Sequence, residues 1–278
     1  MIRLDKFLAD MSVGTRNEVK KAIKSGNVFV NGHPMLKSDV KIDEDKDLVT
    51  VNGKDIKYCR YEYFMLNKPM GYVSATSDGK NDTVVSLINE KAKKDIFPVG
   101  RLDIDTEGLL IITNDGRLAH NLLSPKKHVD KKYFVIINGE PNESDLTLLE
   151  QGIDIGDEMS TLPAKVNIIK SCSWYELGEY QDKIKEVSAY RHGDVLDTGS
   201  SHYDAYNESH YDEKFCMLEL KIHEGRYHQV KRMFLAIGFK VLYLKRVEMG
   251  SLKLDEKLRC GEYRKLTNEE ICFLTNGG

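Results

Sequence analysis

The residues best suited to chemistry lie in a short turn, Gly100-Arg101-Leu102-Asp103, which is followed by Thr106-Glu107-Gly108. The apolar run Leu109–Thr113 comes next and predicts a buried strand. Polar side chains at the mouth of a buried strand are typical of an active site, because the rigid strand positions them while the turn exposes them. Asp103 is therefore the first candidate for a catalytic carboxylate. The alternative is a surface turn in which this carboxylate only accepts hydrogen bonds from the backbone.

A second group of polar residues lies in the segment Ile222–Phe234, where Val230, Met233 and Phe234 share one face of a predicted helix. The side chains left for other roles are Arg226, His228, Gln229, Lys231 and Arg232. The alternative here is a solvated, basic start of a helix. Tyr133 is a third candidate, at the beginning of the predicted strand Lys131–Ile137, where a tyrosine that only packs in the sheet is the alternative.

Together these segments resemble the RNA pseudouridine synthases, in the version that modifies ribosomal RNA. The resemblance rests on Gly-Arg-Leu-Asp with Thr-Glu-Gly, on Lys-Lys-Tyr at 131–133 and on His-Gln-Val-Lys-Arg-Met at 228–233. It includes Asn67-Lys68-Pro69-Met70-Gly71, which follows a predicted strand at Tyr61–Leu66. It covers nearly the whole chain apart from residues 172–214.

The resemblance implies a role for each candidate. Asp103 is the catalytic residue, Lys231 pairs with it and keeps it ionised, and Tyr133 stacks on the flipped uracil or relays a proton. Arg101 helps to hold the flipped nucleotide and His228 shapes the site. RNA or structural contacts fall to Arg226, Gln229 and Arg232.

The implied reaction detaches uracil from C1′ of its ribose, turns the base and rejoins it through C5. Asp103 acts either as a nucleophile at the sugar or base, or as the base that removes a ribose proton to give a glycal; the residues do not choose between these. The family needs no cofactor. We expect no metal site, since no His or Cys partner lies at ligand spacing from His228.

The N-terminal segment predicts a small basic module. Leu4, Phe7, Leu8 and Met11 have helical spacing, and Thr15 with Glu18 forms a capping box for a second helix. The order helix, helix, strand Val28–Val30 and Asn31-Gly32 turn resembles an S4 RNA-binding domain over residues 1–58. A lysine stripe that is only a solvated helix face is the alternative. The residues expected to bind RNA are Arg3, Lys6, Arg16, Lys20, Lys21, Lys24 and Asn31.

The fold class predicted is α+β. A small N-terminal S4 (αL-like) domain at 1–58 precedes a catalytic domain at 61–278, in which a long mixed or antiparallel sheet is flanked by helices. Further predicted elements are a helix at Gly116–Leu123, a strand region at Leu162–Ala164 and a capping box at Thr267 and Glu270. We expect a cleft across the sheet, with Asp103 on one side and Lys231 on the other.

The charge distribution favours RNA more than the net charge of −3 does. Residues 1–37 carry seven Lys or Arg against three Asp or Glu, a net of +4, and residues 219–246 carry seven against two, a net of +5. Basic patches attract nucleic acid whatever the total charge. There is no run of 18 apolar residues and no signal-like N-terminal stretch, and the five cysteines are scattered, so we expect a cytoplasmic monomer without a membrane partner.

Residues 172–214 depart from the family pattern. They hold four Lys or Arg against ten Asp or Glu, a net of −6, and six tyrosines. We expect an acidic, variable surface loop or short hairpin that points away from bound RNA or restricts which RNA enters. A metal site at His192, His202 and His210 is the weaker alternative, since their spacing matches no ligand motif.

The expected function is the isomerisation of uridine to pseudouridine in ribosomal RNA, by base flipping. The His-Gln-Val-Lys-Arg-Met form favours 16S rRNA, free or in a small-subunit assembly intermediate. The alternatives are a 23S rRNA pseudouridine synthase and a non-catalytic RNA-binding factor of ribosome assembly. A residue unable to take part in the reaction at position 103, 133 or 231 would favour the non-catalytic factor. All three positions hold side chains that can act in the reaction.

Overall fold

The structure is a computed structural model that describes residues 1–276 except residues 12, 57, 59–60, 90–94 and 191–212. The chain divides into two compact units. The first comprises Met1–Glu62 with Ile88–Ile96, and the second comprises Tyr63–Leu87 with Phe97–Gly278. No helix in the described part of the chain is long and apolar enough to cross a membrane.

The first unit packs two helices against short strands. Its elements are β1 Ile2–Arg3, α1 Leu4–Asp10, α2 Arg16–Lys24, β2 Val28–Val30, β3 His33–Pro34, β4 Lys41–Ile42, β5 Val49–Val51 and β6 Lys54–Ile56. One sheet has the order β3-β2-β5-β6, and β1 pairs with β4. Leu4, Phe7 and Leu8 are buried as their spacing predicts, and the capping box of Thr15 and Glu18 is confirmed.

In the described part of the second unit, the helices pack on a nine-stranded mixed sheet, which confirms the α+β class. Its order is β11-β12-β10-β13-β9-β7-β15, with β14 paired to β13 and β8 to β9. The pairs are antiparallel except for the parallel contact between β9 and β13. The elements are β7 Tyr63–Lys68, β8 Phe97–Pro98, β9 Glu107–Thr113, α3 Gly116–Leu123, β10 Lys131–Asn138, α4 Glu143–Gln151, β11 Lys165–Ser173, α5 Tyr180–Tyr190, β12 Lys214–Ile222, α6 Gln229–Ala236, β13 Val241–Met249, β14 Leu252–Lys253, β15 Tyr263–Lys265 and α7 Asn268–Asn276.

Most local predictions for this unit are confirmed. All seven residues of β9 are buried, as expected for a continuous apolar strand in the middle of a sheet. Helix α3 has the predicted bounds, and Asp115 caps it by accepting from two backbone N–H groups. The capping box of Thr267 and Glu270 precedes α7. Gly238 follows α6 with a φ of +84°, as a C′ glycine does.

Two predicted strands differ from the strands in the structure. The strand expected at Tyr61–Leu66 is β7, which runs on through Lys68, because Asn67 and Lys68 also pair with β9. The strand region expected at Leu162–Ala164 was wrong: β11 begins at Lys165, while Leu162 and Ala164 hydrogen-bond to Glu224 and Leu149 through their N–H groups.

The prediction of a variable surface loop or short hairpin over 172–214 was wrong for its first part. Residues 175–177 form a 3₁₀ turn, and α5 covers Tyr180–Tyr190. Trp174, Ile184 and Val187 are buried against the sheet, which is why this stretch is ordered as a helix. Residues 191–212, with His192, His202 and His210, lie outside the described residues, as does the metal site considered there.

Candidate active site

Asp103 lies in the connection between β8 and β9, and the backbone of this connection is held from several sides. The N–H of Gly71 donates to the carbonyl of Ile104 at 2.9 Å. The hydroxyl of Ser74 accepts from the N–H of Leu102 at 3.0 Å and donates to its carbonyl at 2.8 Å. The loop before β9 is therefore a rigid carrier for the carboxylate of Asp103.

Lys68, at the end of β7, also holds this loop in place. Its fully buried ammonium donates to the carbonyls of Pro69, Asp103 and Thr106 at 2.9–3.0 Å. Burial lowers the pKa of Lys68 to about 8, although the nearby charges of Asp105 and Asp103 oppose the shift. The sequence marked this lysine only as part of a resemblance and gave no sign that it binds backbone.

Lys231 on α6 brings two carboxylates together. Its ammonium lies 3.1 Å from Oδ2 of Asp103, which is the predicted pair, and 2.6 Å from Oδ1 of Asp105. Asp103 and Lys231 both line the cleft, and their side chains are in direct contact there. Asp105 is almost completely buried and was not predicted, although it stands two residues from Asp103 in the same motif.

His228 completes the surroundings of Asp103. Its Nε2 lies 3.6 Å from Oδ1 of Asp103, and its backbone has a left-handed φ of 47°. The predicted shaping role is compatible with this position. Among the described residues, no group of three His, Cys, Asp or Glu could hold a metal ion.

Tyr133 lies on β10 and is buried. In the register of the antiparallel pair it stands opposite Arg246 of β13, whose Nε donates to the carbonyl of Leu109 at 2.8 Å. Burial raises the pKa of Tyr133, and the charge and hydrogen bond of Arg246 counter part of that effect. Arg246 was not predicted; it is one basic residue in a segment read only for its net charge.

Four of these residues, Asp103, Tyr133, His228 and Lys231, line one open cleft of about 420 Å³. Asp103, Lys231 and Tyr133 all contribute to its wall, as does the exposed Arg101. The full lining comprises Arg101, Leu102, Asp103, Thr106, Tyr133, Ile222, Gly225, Arg226, His228, Gln229, Val230, Lys231 and Leu244. A carboxylate, an ammonium group and a phenol thus face the same cleft. Such a combination can carry out nucleophilic or acid–base chemistry.

Three residues for which RNA or structural contacts were expected make contacts within the protein. Arg226 pairs with Glu224 and donates to the carbonyls of residues 159 and 160. Arg232 pairs with Asp157 at 2.6 Å. Gln229 is buried and donates to Glu224 at 2.7 Å while accepting from the N–H of Arg226. These contacts fix the segment before α6.

A hydrogen-bond network surrounds the buried carboxylate of Glu107 at the start of β9. Glu107 accepts hydrogen bonds from Lys183 of α5 at 2.7 Å, from Tyr243 at 2.6 Å and from the thiol of Cys260 at 3.3 Å. Burial alone would raise the pKa of Glu107, but the bonds from Lys183 and Tyr243 outweigh it and lower the pKa. Desolvation of the thiol and the neighbouring charge of Glu107 raise the pKa of Cys260 to about 12, although the residue as a whole is exposed. The sequence gave no sign of this link between α5 and the Thr106-Glu107-Gly108 motif.

In the first unit, the predicted RNA-binding residues lie on the surface. Arg3 pairs with Asp5 at 2.7 Å. Asn31 shapes its turn by accepting from the N–H of Leu48 at 2.8 Å and donating to Asp47 at 2.9 Å. The remaining five side chains are exposed: Lys6, Arg16, Lys20, Lys21 and Lys24.

Comparisons with known proteins agree with the predicted resemblance. A family model described as RNA pseudouridylate synthase matches residues 62–236, and the S4 domain model matches residues 2–48. A solved structure described as a pseudouridylate synthase is 33% identical, with a TM-score of 0.58, and covers 99% of this chain and 100% of its own.

Curated relatives match over almost the whole chain. An uncharacterized RNA pseudouridine synthase of Bacillus subtilis (strain 168) is 40% identical and covers 98% of both chains. The ribosomal small subunit pseudouridine synthase A of Vibrio vulnificus (strain CMCP6) is 37% identical, over 97% of this chain and 98% of its own. The ribosomal large subunit pseudouridine synthase B of Bacillus subtilis (strain 168) is 36% identical, over 98% of this chain and 94% of its own.

Proposed function

Because the chain belongs to the RNA pseudouridylate synthase family and is an RNA pseudouridine synthase, we propose that it converts specific uridines of ribosomal RNA to pseudouridine, with Asp103 as its catalytic carboxylate. The observation that carries this proposal is the contact of Asp103 with Lys231 in a cleft that also holds Tyr133.

The target uridine leaves the RNA stack and enters this cleft, because an enzyme cannot reach the reacting atoms of a stacked base. The N1–C1′ bond breaks, the uracil turns, and C5 bonds to C1′ while the hydrogen on C5 is lost. As nucleophile or as base, Asp103 must act in its ionised form, and the ammonium of Lys231 at 3.1 Å supplies the opposite charge.

Tyr133 lies in the wall of the same cleft, where it stacks on the flipped uracil or passes a proton. A tyrosine phenol is neutral at physiological pH, and burial, which raises the pKa of Tyr133, favours that form further, so Tyr133 acts as a hydrogen-bond donor toward the base. Arg101 is exposed at the cleft and contacts the RNA around the flipped nucleotide.

We propose 16S rRNA as the substrate. The His-Gln-Val-Lys-Arg-Met form at 228–233 supports it, as does the Vibrio vulnificus relative that is named for the small subunit. The second candidate is 23S rRNA, which the relative named for the large subunit supports at nearly the same identity.

The test uses 16S and 23S rRNA with tritium at C5 of uridine, as free RNA and in assembling subunits. Bond formation at C5 must expel this hydrogen, so released tritium counts turnovers. We expect release from 16S rRNA alone. Asp103→Ala should abolish release and leave RNA binding intact. Asp182→Ala is the control, since Asp182 is 93% exposed on α5 and should leave turnover unchanged.

Release from 23S rRNA alone would replace the proposed substrate. Release that persists in Asp103→Ala would contradict the catalytic assignment. An enzyme that binds rRNA but releases no tritium in any form would contradict ribosomal RNA as the substrate.

A further inference from the structure

Tyr227 is an exposed aromatic residue at the rim of the catalytic cleft. It stands between Arg226 and His228, both of which line the cleft. Its side chain is 62% exposed. Its ring stacks on the imidazole of His228, with 3.9 Å between ring centroids and 15° between ring planes. A large aromatic surface therefore faces solvent beside the cleft instead of packing in the core.

His228 connects this ring to the reacting carboxylate. The imidazole lies against Tyr227 on one side, while its Nε2 lies 3.6 Å from Oδ1 of Asp103. Tyr227 is thus one ring away from the place where the target uridine must sit. The nucleotides nearest to Tyr227 in a complex are those next to the target in the RNA chain.

The backbone that carries Tyr227 is held on both sides. The guanidinium of Arg232 donates to the carbonyl of Tyr227 at 3.1 Å, and the N–H of Arg226 donates to Gln229 at 2.9 Å. His228 has a left-handed φ of 47°, a conformation that is uncommon for residues other than glycine, although histidine adopts it more readily than most. An exposed ring on so fixed a backbone is preorganised for binding.

The residues around Tyr227 favour a nucleobase rather than a phosphate as the group that binds there. The two arginines of this segment already bind Glu224 and Asp157. An aromatic face binds unpaired nucleobases by stacking, and single-stranded RNA presents such faces. Flipping the target uridine breaks its stacking with both neighbours, so each neighbouring base is left with an open face.

We propose that Tyr227 is a stacking platform for the unpaired base next to the target uridine, and that it holds the RNA open while the uridine occupies the cleft. This inference rests on the proposed function, in which Asp103 marks the position of that uridine.

Kinetics with tritiated rRNA test the platform. Tyr227→Ala should raise KM by about 10-fold with a small change in kcat, because stacking on an aromatic ring contributes to binding before and after the chemical step. Tyr227→Phe keeps the ring and should restore the native KM. Tyr175→Ala is the matched control, since Tyr175 is 66% exposed on the 3₁₀ turn before α5.

Tyr227→Leu separates stacking from simple apolar contact, because leucine keeps the bulk without the ring. It should behave like Tyr227→Ala. A native KM in both variants, or an equal rise in Tyr175→Ala, would overturn the proposal. The melting temperature of each variant shows whether it is folded.

Fluorescence quenching tests the stacking of a base on Tyr227 without requiring turnover. A short single-stranded RNA carries 2-aminopurine next to one uridine and is bound to saturation by Asp103→Ala protein. Stacking on Tyr227 should quench the fluorescence, and Tyr227→Ala should remove this quenching while Tyr175→Ala should not. Absence of quenching at saturation would overturn the platform. Quenching by an enzyme that modifies no rRNA would instead contradict the proposed substrate alone.

Discussion

The ammonium group of Lys231 lies 2.6 Å from a carboxylate oxygen of Asp105, closer than the 3.1 Å that separates it from Asp103. Asp105 and Lys231 are both buried, whereas Asp103 is partly exposed to the cleft. Asp105 therefore fixes the ammonium of Lys231, which in turn contacts the carboxylate of Asp103 that is exposed to the cleft. The proposed catalytic pair thus includes a third, buried residue that holds the lysine in place.

Asp105→Asn should reduce the free energy of unfolding by about 1–3 kcal/mol, because it removes the nearer of the two carboxylates that neutralise the buried ammonium of Lys231, while Asp103 at 3.1 Å remains. Urea denaturation measures this change. The double variant Asp105→Asn with Lys231→Met should lose less than the sum of the two single losses, since both charges are then gone. Additive losses would show that the two residues do not stabilise each other.

Lys183→Met should reduce the free energy of unfolding by about 1–3 kcal/mol, because it leaves the buried carboxylate of Glu107 without its cation while Lys183 itself is partly exposed. The folded pKa of Glu107 is lowered and that of Lys183 is raised. The difference from the native protein should therefore be largest between about pH 5 and 10 and shrink on both sides.

Lys185→Met is the control for this loss. Lys185 lies on the same helix, but its side chain is half exposed. Its partner, Asp182, is almost fully exposed and 3.9 Å away, so this ion pair is weak. Its removal should change the free energy of unfolding by less than about 0.5 kcal/mol. An equal loss in both variants would mean that the link to Glu107 adds nothing.

Lys68 should make stability rise with pH in the alkaline range. Its folded pKa of about 8 lies below the ordinary 10.5, so the unfolded chain binds more protons between these values. The free energy of unfolding of the native protein, relative to Lys68→Met, should therefore increase by up to about 3 kcal/mol from pH 8 to pH 10.5. Lys131, whose pKa burial also lowers to about 8, is present in both proteins and cancels. A difference independent of pH would show that Lys68 titrates normally.

Gly108→Ala should destabilise the protein by more than about 3 kcal/mol. The glycine has a φ of +105°, and an added Cβ would lie 2.2 Å from the carbonyl oxygen of Arg246 on the paired strand β13. Gly116→Ala is the control: its Cβ meets nothing within 4 Å at the start of α3, so stability should stay equal or rise slightly. Thermal denaturation compares the two, and similar melting temperatures would contradict the steric argument.

Arg246→Met should raise the pKa of Tyr133 further, because it removes the cation that counters the effect of burial. Fluorotyrosine placed at position 133 reports this pKa by ¹⁹F NMR over a pH titration. Lys132→Met is the control, since the ammonium of Lys132 pairs with Glu219 at 2.7 Å. An unchanged titration in Arg246→Met would remove Arg246 from the active-site electrostatics.

Patterns within one segment predicted the local structure well. The capping boxes at Thr15 and Thr267, the bounds of α3 and the buried run of β9 follow from spacing and residue type alone. The helix α5 was missed because residues 172–214 were judged as one acidic stretch. Within it, Tyr180, Ile184 and Val187 already had helical spacing.

The contact between Asp103 and Lys231 joins residues far apart in sequence, and only the resemblance to a family predicted it. The buried anchors were not predictable in this way. Lys68 and Glu107 look like ordinary surface charges in the sequence, and their burial depends on Thr106, Lys183 and other partners that only the fold supplies. Asp105 was overlooked because its neighbour two residues earlier matched the motif.

The arginines that hold the segment before α6 in place also affect how strongly the affinity for RNA depends on ionic strength. Arg226 and Arg232 count as positive in the sequence, but in the folded chain each already faces a carboxylate, Glu224 or Asp157. A cation that is neutralised inside the protein displaces few counterions when RNA binds, so it adds little to the salt dependence of affinity. The affinity for RNA should therefore fall with added salt less steeply than the seven Lys and Arg of residues 219–246 suggest. The affinity that remains at high salt should come from contacts that release no counterions, such as the stacking proposed for Tyr227.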